Sequence, residues 1–275
     1  MKNVWNTLAC GAFALGCGAA QAADGNLPWE KGSLSIGGFI TNSSTDLQIN
    51  SDSLGVGAVV DLEDTLGVSS DKSTWRLDGF WRFGNTRRHQ IDFTYFDSRR
   101  SGNRVLDESI QIGDEVFPIN ARVDTEFDLR FINVNYSYAF FQDDRVRLAG
   151  AVGLHTTGVE LKLKEVGGAA NVEEESFTAP LPAVGLRGDI ALTERWRLKA
   201  GLDVFYLSTG GYTGVLSDAL LAVEWLPFKH VGFGAGLNAI NIKVDADGDD
   251  DYGLDLNGQL KFRFTGAMLY IKAFY

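Results

Sequence analysis

Cysteine is nearly absent from this 275-residue chain: its two copies, Cys10 and Cys17, both fall in the first 22 residues. With that segment removed, disulfides, thiolate metal sites and cysteine catalysis are excluded. Proline is scarce, at 5 residues, and histidine scarcer, at 3. Basic residues number 25 against 36 acids, a balance that disfavours nucleic acid as a partner. No stretch after residue 22 is long and apolar enough to cross a membrane as a helix.

The first 22 residues read as a secretory signal. Lys2 supplies the positive start, Leu8 to Ala20 the apolar run, and Ala20-Gln21-Ala22 the small-x-small cleavage site. Ala14-Leu15-Gly16 before Cys17 falls short of a lipid-attachment box, because Ala stands three positions before the cysteine. The mature chain is expected to begin at Ala23, with 24 basic residues against 36 acids and a net charge of −12. Such a surface suits divalent cations or cationic solutes.

What the chain has in quantity is glycine (32), aromatics (12%) and alternation. Trp75, Leu77, Gly79, Trp81 and Phe83 oppose Arg76, Asp78 and Arg82. Ile132, Val134, Tyr136, Tyr138 and Phe140 oppose Asn133, Asn135 and Ser137. Leu254, Leu256, Leu260, Phe262 and Phe264 oppose Asp255, Asn257, Gln259, Lys261 and Arg263. A strand sends successive side chains to opposite faces, so each of these segments has one apolar and one polar face. In a soluble sandwich the apolar face meets a second sheet; in a membrane barrel it meets lipid and the polar face meets the lumen.

Eleven strands are expected, from Ser33–Asn50 to Ala267–Tyr275, with Tyr252–Phe264 and Ala267–Tyr275 as the last two. Gly55–Leu62 would make twelve, and an N-terminal segment inside the barrel would leave ten. A single helical turn is expected at Glu63–Leu66. Short connections such as Asn85-Thr86-Arg87 and Thr193-Glu194 alternate with longer loops such as Asp52–Lys72 and Asp245–Asp251. Short turns at one rim and long loops at the other is the pattern of a membrane barrel. The fold expected is therefore an all-β, antiparallel, up-and-down transmembrane β-barrel of about 12 strands (10–12), one domain over residues 23–275.

The signal segment, the strand pattern and the ending Met268-Leu269-Tyr270-Ile271-Lys272-Ala273-Phe274-Tyr275 together resemble Gram-negative outer-membrane β-barrel proteins of the outer-membrane protein A-type or W-type class. The resemblance implies residence in the outer membrane. It also implies that Leu269, Ile271, Ala273 and Tyr275 form the insertion signal read by the barrel-assembly machinery, and that outer-membrane lipid and lipopolysaccharide are the chain's surroundings. Gly57–Gly67 resembles a stretch of other barrels to which no activity is tied.

The mixed charges on the polar faces are the main functional candidates. Arg76, Asp78, Arg82, Arg130, Arg187, Asp189, Arg197, Lys199, Asp203, Lys261 and Arg263 are expected to face the lumen. At ten to twelve strands they form either an interlocked plug or a narrow pore for small solutes. Asp245, Asp247, Asp249 and Asp251, around Gly248, form an acidic loop that could take a divalent cation, although the spacing does not match the helix–loop–helix calcium motif. His89 and His230 sit at turns, and His155 is the one histidine on a lumen-facing strand. Only Thr157, and no serine, shares its face, which disfavours a nucleophile–base pair. No cofactor is expected. The reading is a non-enzymatic scaffold or narrow channel. Its rivals are a lipid-modifying enzyme and a soluble exported sandwich or lipocalin-like binder. Trp29, Trp75, Trp81, Trp196, Trp225, Tyr138, Phe140 and Phe228 are expected in interfacial aromatic girdles.

Overall fold

The computed structural model describes residues 29–49, 59–112, 115–168, 171–209, 212–247 and 257–275. The expected signal segment and Asp249 and Asp251 of the acidic loop lie outside these residues. The chain runs through β1 (Gly32–Ile49), β2 (Val60–Asp61), β3 (Asp71–Phe83), β4 (His89–Val105), β5 (Ile110–Ile112) and β6 (Glu115–Phe117). It continues through β7 (Arg122–Gln142), β8 (Val146–Glu165), β9 (Asn171–Ala191), β10 (Trp196–Thr209), β11 (Tyr212–Trp225), β12 (Val231–Asp247) and β13 (Asn257–Phe274). Among the described residues ten long strands each pair antiparallel with their neighbours, and β13 returns to β1 from Ser33↔Phe274 to Ile49↔Gly258. Closure removes every long sheet edge, which a membrane requires because lipid offers no hydrogen bonds. At the seam the Lys31 and Gly32 amides donate to the Tyr275 carbonyl at 2.7 and 3.2 Å.

The expected ten to twelve strands resolve to ten. Tyr252–Phe264 and Ala267–Tyr275 are not two strands: β13 runs straight through Gly266. The glycine there makes room for the Phe39 ring rather than a turn. Of the expected strand Gly55–Leu62, residues 55–58 lie outside the described residues, and the described part forms the two-residue β2, paired to Leu47 and Asp46. Between β4 and β7 the chain leaves the wall at Leu106 and returns at Ala121, whose carbonyl accepts from the Leu106 amide at 2.8 Å. The β5–β6 hairpin fills this excursion because Ile110, Ile112 and Phe117 bury their side chains in the interior.

The tight turns gather at one rim. Gly84 and Arg87 both take positive φ there (81° and 52°). In the β7–β8 turn the Arg145 and Val146 amides donate to Asp143 Oδ1 at 2.8 and 2.6 Å. These two bonds hold the Asp143 carboxyl below its ordinary range. In the β9–β10 turn Thr193 Oγ1 accepts from the Arg195 and Trp196 amides. The remaining connections leave the wall at the other rim, where Val105 stands opposite Arg122, Thr209 opposite Tyr212 and Asp247 opposite Asn257.

Polarity along the strands differs from expectation. β7 has 21 residues, about twice the ~9–11 that a tilted strand needs to cross a bilayer. Near the short-turn rim its outward side chains are Ile132, Val134, Tyr136, Tyr138 and Phe140, and its inward ones Asn133, Asn135 and Ser137. Beyond Phe131 the faces exchange. Arg122, Asp124, Glu126 and Arg130 point outward, while Val123, Phe127, Leu129 and Phe131 are buried inside. The same exchange occurs in β1, where outward Leu34, Ile36 and Ile40 give way to Asn42 and Ser44 as Phe39 appears inside. In β13, outward Leu269 and Ile271 give way to Arg263 and Lys261. The molecule is thus a membrane-height barrel with an apolar outside, continued by a stem with an apolar inside. Leu260, Phe262 and Phe264, expected against lipid, are core residues of the stem and 0–3% exposed. Stem walls meet water outside, so there the apolar face can only turn inward.

A cap seals the stem from within. After β2 the chain makes one hydrogen-bonded turn, with the Thr65 amide donating to the Asp61 carbonyl at 2.9 Å. Leu62, Leu66 and Val68 are buried by it. Glu63 accepts from the Thr45 amide at 2.8 Å and pairs with Arg100, whose guanidinium lies 4.8 Å from the Phe127 ring. The Gly102 backbone lies against this cap, and a Cβ there would come within 2.6 Å of the Leu66 carbonyl.

Candidate functional site

The interior of the membrane-height half carries the chain's charged chemistry. Arg76, Arg82, Asp189 and Asp203 are buried in the lumen, and Asp78, Arg187, Arg197 and Lys199 line it, all on inward positions of β3, β9 and β10. Arg130, Lys261 and Arg263 do not join them. They are exposed on the outer wall of the stem: they share the parity of outward Ile132, Leu269 and Ile271, and at their height that outer face is polar. Trp75, Trp81, Trp196 and Trp225 lie on the outer face with Tyr138, Phe140 and Phe228. Trp29, expected in the same girdle, is buried inside. Its indole N–H donates to the Asp143 carbonyl at 2.8 Å, and Arg82 and Arg197 stack on its ring.

Trp29 and Glu30 enter the short-turn mouth from the leader. Glu30 pairs with Arg82 at 3.4 Å, with Lys272 at 3.3 Å and with Arg197. Arg82 reaches across to Asp189 on β9 at 3.1 Å, and Arg147 joins the same carboxylate at 3.4 Å. Lys272 also pairs with Glu224 at 2.6 Å, which accepts from the Tyr270 hydroxyl at 3.0 Å. Bonds such as Arg82–Asp189 span the lumen and so brace opposite walls.

Next inward, Arg76 donates to Asp78 at 2.9 Å and to Asn238 Oδ1 at 2.7 Å, and Asn238 Nδ2 donates to Asp218 at 2.6 Å. Arg187 forks onto Asp203 with two bonds of 2.8 Å. His155 Nε2 lies 3.3 Å from Asp203 Oδ2. A cavity of about 110 Å³ remains between these groups, bounded by Arg76, Asp78, Asp92, Arg187, Asp203 and Asp218 among others.

Above the charges lies an aromatic layer. Phe39, Phe96, Phe131 and Phe264 contact one another with ring centroids 4.9–5.7 Å apart. Arg76 sits at the boundary, 5.3 Å from the Phe39 ring and 5.8 Å from that of Phe96. This layer continues into the apolar interior of the stem.

Glu30, Lys272 and Asp218 were not foreseen in this network. Lys272 was legible: it alternates with outward Ile271 and Ala273, so its parity puts it inside. Asp218 likewise shares the parity of Glu224. Glu30 carries no such signal, because it precedes the first strand. Leu269, Ile271 and Ala273 face outward on β13, and Tyr275, just past its end, is exposed. Asp245 pairs with Lys243 at 3.6 Å and accepts from Gln259. His89 and His230 lie at the short-turn rim, bonded to the Tyr136 hydroxyl and the Phe274 carbonyl.

No protein-family model matches the chain, and no curated protein does either. Solved structures do. The outer membrane protease OmpT of Escherichia coli is similar over 89% of this chain and 96% of its own, at 10% identity and a TM-score of 0.50. The translocator domain of the autotransporter NalP of Neisseria meningitidis matches over 89% and 88%, at 10% identity and 0.47. Ail, the attachment invasion locus protein of Yersinia pestis, matches over 87% and 99%, at 12% identity and 0.37. At such identities the likeness to OmpT establishes the fold alone. That fold is the Gram-negative outer-membrane β-barrel.

Proposed function

We propose that this Gram-negative outer-membrane β-barrel works as a closed, non-enzymatic scaffold that holds its stem and long loops clear of the lipid. The reading rests on one observation: the layer of Phe39, Phe96, Phe131 and Phe264 crosses the lumen above the charged network, with an apolar core beyond it. An ion crossing that layer would exchange its hydration for aromatic rings. The cross-lumen pairs of Arg82 and Glu30 add a second obstruction at the other mouth. The narrow channel draws support from the 110 Å³ cavity, which lies in the membrane-height half only. An enzymatic role draws little from the site, since Thr157 is the hydroxyl that shares a face with His155 and no serine does. In this proposal the outer-face residues Leu269, Ile271, Ala273 and Tyr275 serve as the assembly signal, and lipopolysaccharide meets the exposed stem cations.

Planar-bilayer recording tests it. The wild-type chain should give no steps above the lipid baseline, whereas a Phe39→Ala, Phe96→Ala, Phe264→Ala variant should conduct. Stable wild-type conductance would sink the scaffold reading in favour of the pore.

A further inference from the structure

Several buried polar side chains of the interior lack a well-aligned hydrogen bond, Ser98, Thr125 and Thr157 among them, and His155 is the imidazole in that set. His155 on β8 is 0% exposed and sits edge-on to Phe131 at the top of the charged layer, with ring centroids 5.6 Å apart. Neither ring nitrogen makes a hydrogen bond. Nε2 does approach Asp203 Oδ2 at 3.3 Å, close enough for an ion pair, so Nδ1 is the nitrogen that nothing meets. A buried imidazole left in that condition is costly unless another group meets it.

One nitrogen of His155 and one oxygen each of Asp203 and Asp218 all lie within 4.8 Å of one another, and all three residues are buried. They come from β8, β10 and β11. The two carboxylates are held from behind: Asp203 by the Arg187 fork, and Asp218 by Asn238, which Arg76 in turn orients. Outer partners of this kind fix the orientation of metal-ligating carboxylates. Asp203 and Asp218 border the cavity together with Asp78, Asp92, Arg76, Arg187 and Lys199.

We propose that His155, Asp203 and Asp218 form a divalent transition-metal site, with Zn²⁺ the best-fitting ion. One imidazole and two carboxylates, with an open fourth position for water from the cavity, is a donor set suited to Zn²⁺. Ca²⁺ and Mg²⁺ prefer all-oxygen shells. Ligand atoms around tetrahedral Zn²⁺ stand about 3.4 Å apart, so small side-chain rotations close the present spacing. A dication meets the Asp203 and Asp218 carboxylates from the side left open by Arg187 and Asn238. It also ties β8, β10 and β11 together directly beneath the aromatic layer. Arg187 and Arg76 repel the ion and so limit its affinity, while they keep the carboxylates aimed.

The test is calorimetric titration of the chelator-treated full chain in detergent with Zn²⁺, in a His89→Gln, His230→Gln background that leaves His155 as the sole histidine of the described residues. One saturable site per chain is expected. His155→Ala and Asp218→Asn, each checked for folding by heat-modifiable gel migration, should weaken it by about tenfold or more. Excess Ca²⁺ should not displace the ion. Absence of saturable binding, or binding unchanged in folded His155→Ala, overturns the site. If neither variant folds, Co²⁺ added to the His89→Gln, His230→Gln chain decides through the ring resonances of His155. Paramagnetic shift of that ring supports the site, and an unshifted ring overturns it.

Discussion

The two halves of this barrel use the same ten strands and opposite polarity. In the membrane-height half, apolar side chains face out and Arg82, Asp189, Lys272 and Glu224 pair inside. In the stem, Phe127, Leu129, Val159 and Phe262 pack inside while Arg130, Lys261 and Arg263 face out. One half is held by buried ion pairs, whose attraction is offset by the cost of taking charge out of water. The other is held like an ordinary soluble core, by removal of apolar surface from water. The difference shows that a strand's solvent changes along its length, and that its sequence follows the solvent rather than the strand.

Substitutions on either side of the exchange plane would break or sharpen this contrast. The largest effect is expected inside the plane. Phe96→Ala should cost about 3–5 kcal/mol, because four packed rings cannot collapse onto the space left. Arg82→Ala should cost about as much by leaving Asp189 and Glu30 short of a partner. Urea unfolding in lipid vesicles measures both, and a loss below 1 kcal/mol in either would contradict the packing described. The intermediate effect compares two outward positions on β7. Val134→Arg should cost about 2–4 kcal/mol, as charge facing mid-bilayer does. Arg130→Val, four residues away on the same face, should stay within about ±0.5 kcal/mol. Equal costs at the two positions would mean that the exchange plane is misplaced.

The smallest effect belongs to the short-turn rim. The Asp143 carboxyl is held below its ordinary 3.8 by two backbone donors. A depressed carboxyl stabilises the fold above its unfolded value, and the contribution fades as pH falls through the folded one. Asp143→Asn should therefore behave like wild type at the most acidic pH and be slightly less stable near neutrality. Unfolding midpoints across that pH range check it, and a deficit that grows on acidification would reverse the assignment.

Much of the wall was legible in sequence, and the stem was partly so. Period-two alternation identified strands in β3, β7 and β10, and the turn residues located the rims. The error at Leu260, Phe262 and Phe264 arose because alternation says that two faces differ and not which one is enclosed. A signal for the exchange was present nonetheless. Two adjacent apolar residues, Phe39-Ile40 in β1, Tyr95-Phe96 in β4 and Phe131-Ile132 in β7, mark the point where the apolar stripe changes parity. The charged network was half visible: parity selects Lys272 and Asp218, while Glu30 enters the lumen from outside the repeating pattern. The His155–Asp203–Asp218 cluster was invisible, because its members come from three strands and are brought together only by register.

Sequence alone determined that the chain forms long antiparallel strands with tight turns at one rim, since side-chain periodicity and turn chemistry are local properties. The tertiary structure decided that the strands are ten, which stripe faces inward at each height, and which charges meet across the lumen. Those depend on closure, on inter-strand register and on where lipid gives way to water, and none of these is set by any one strand.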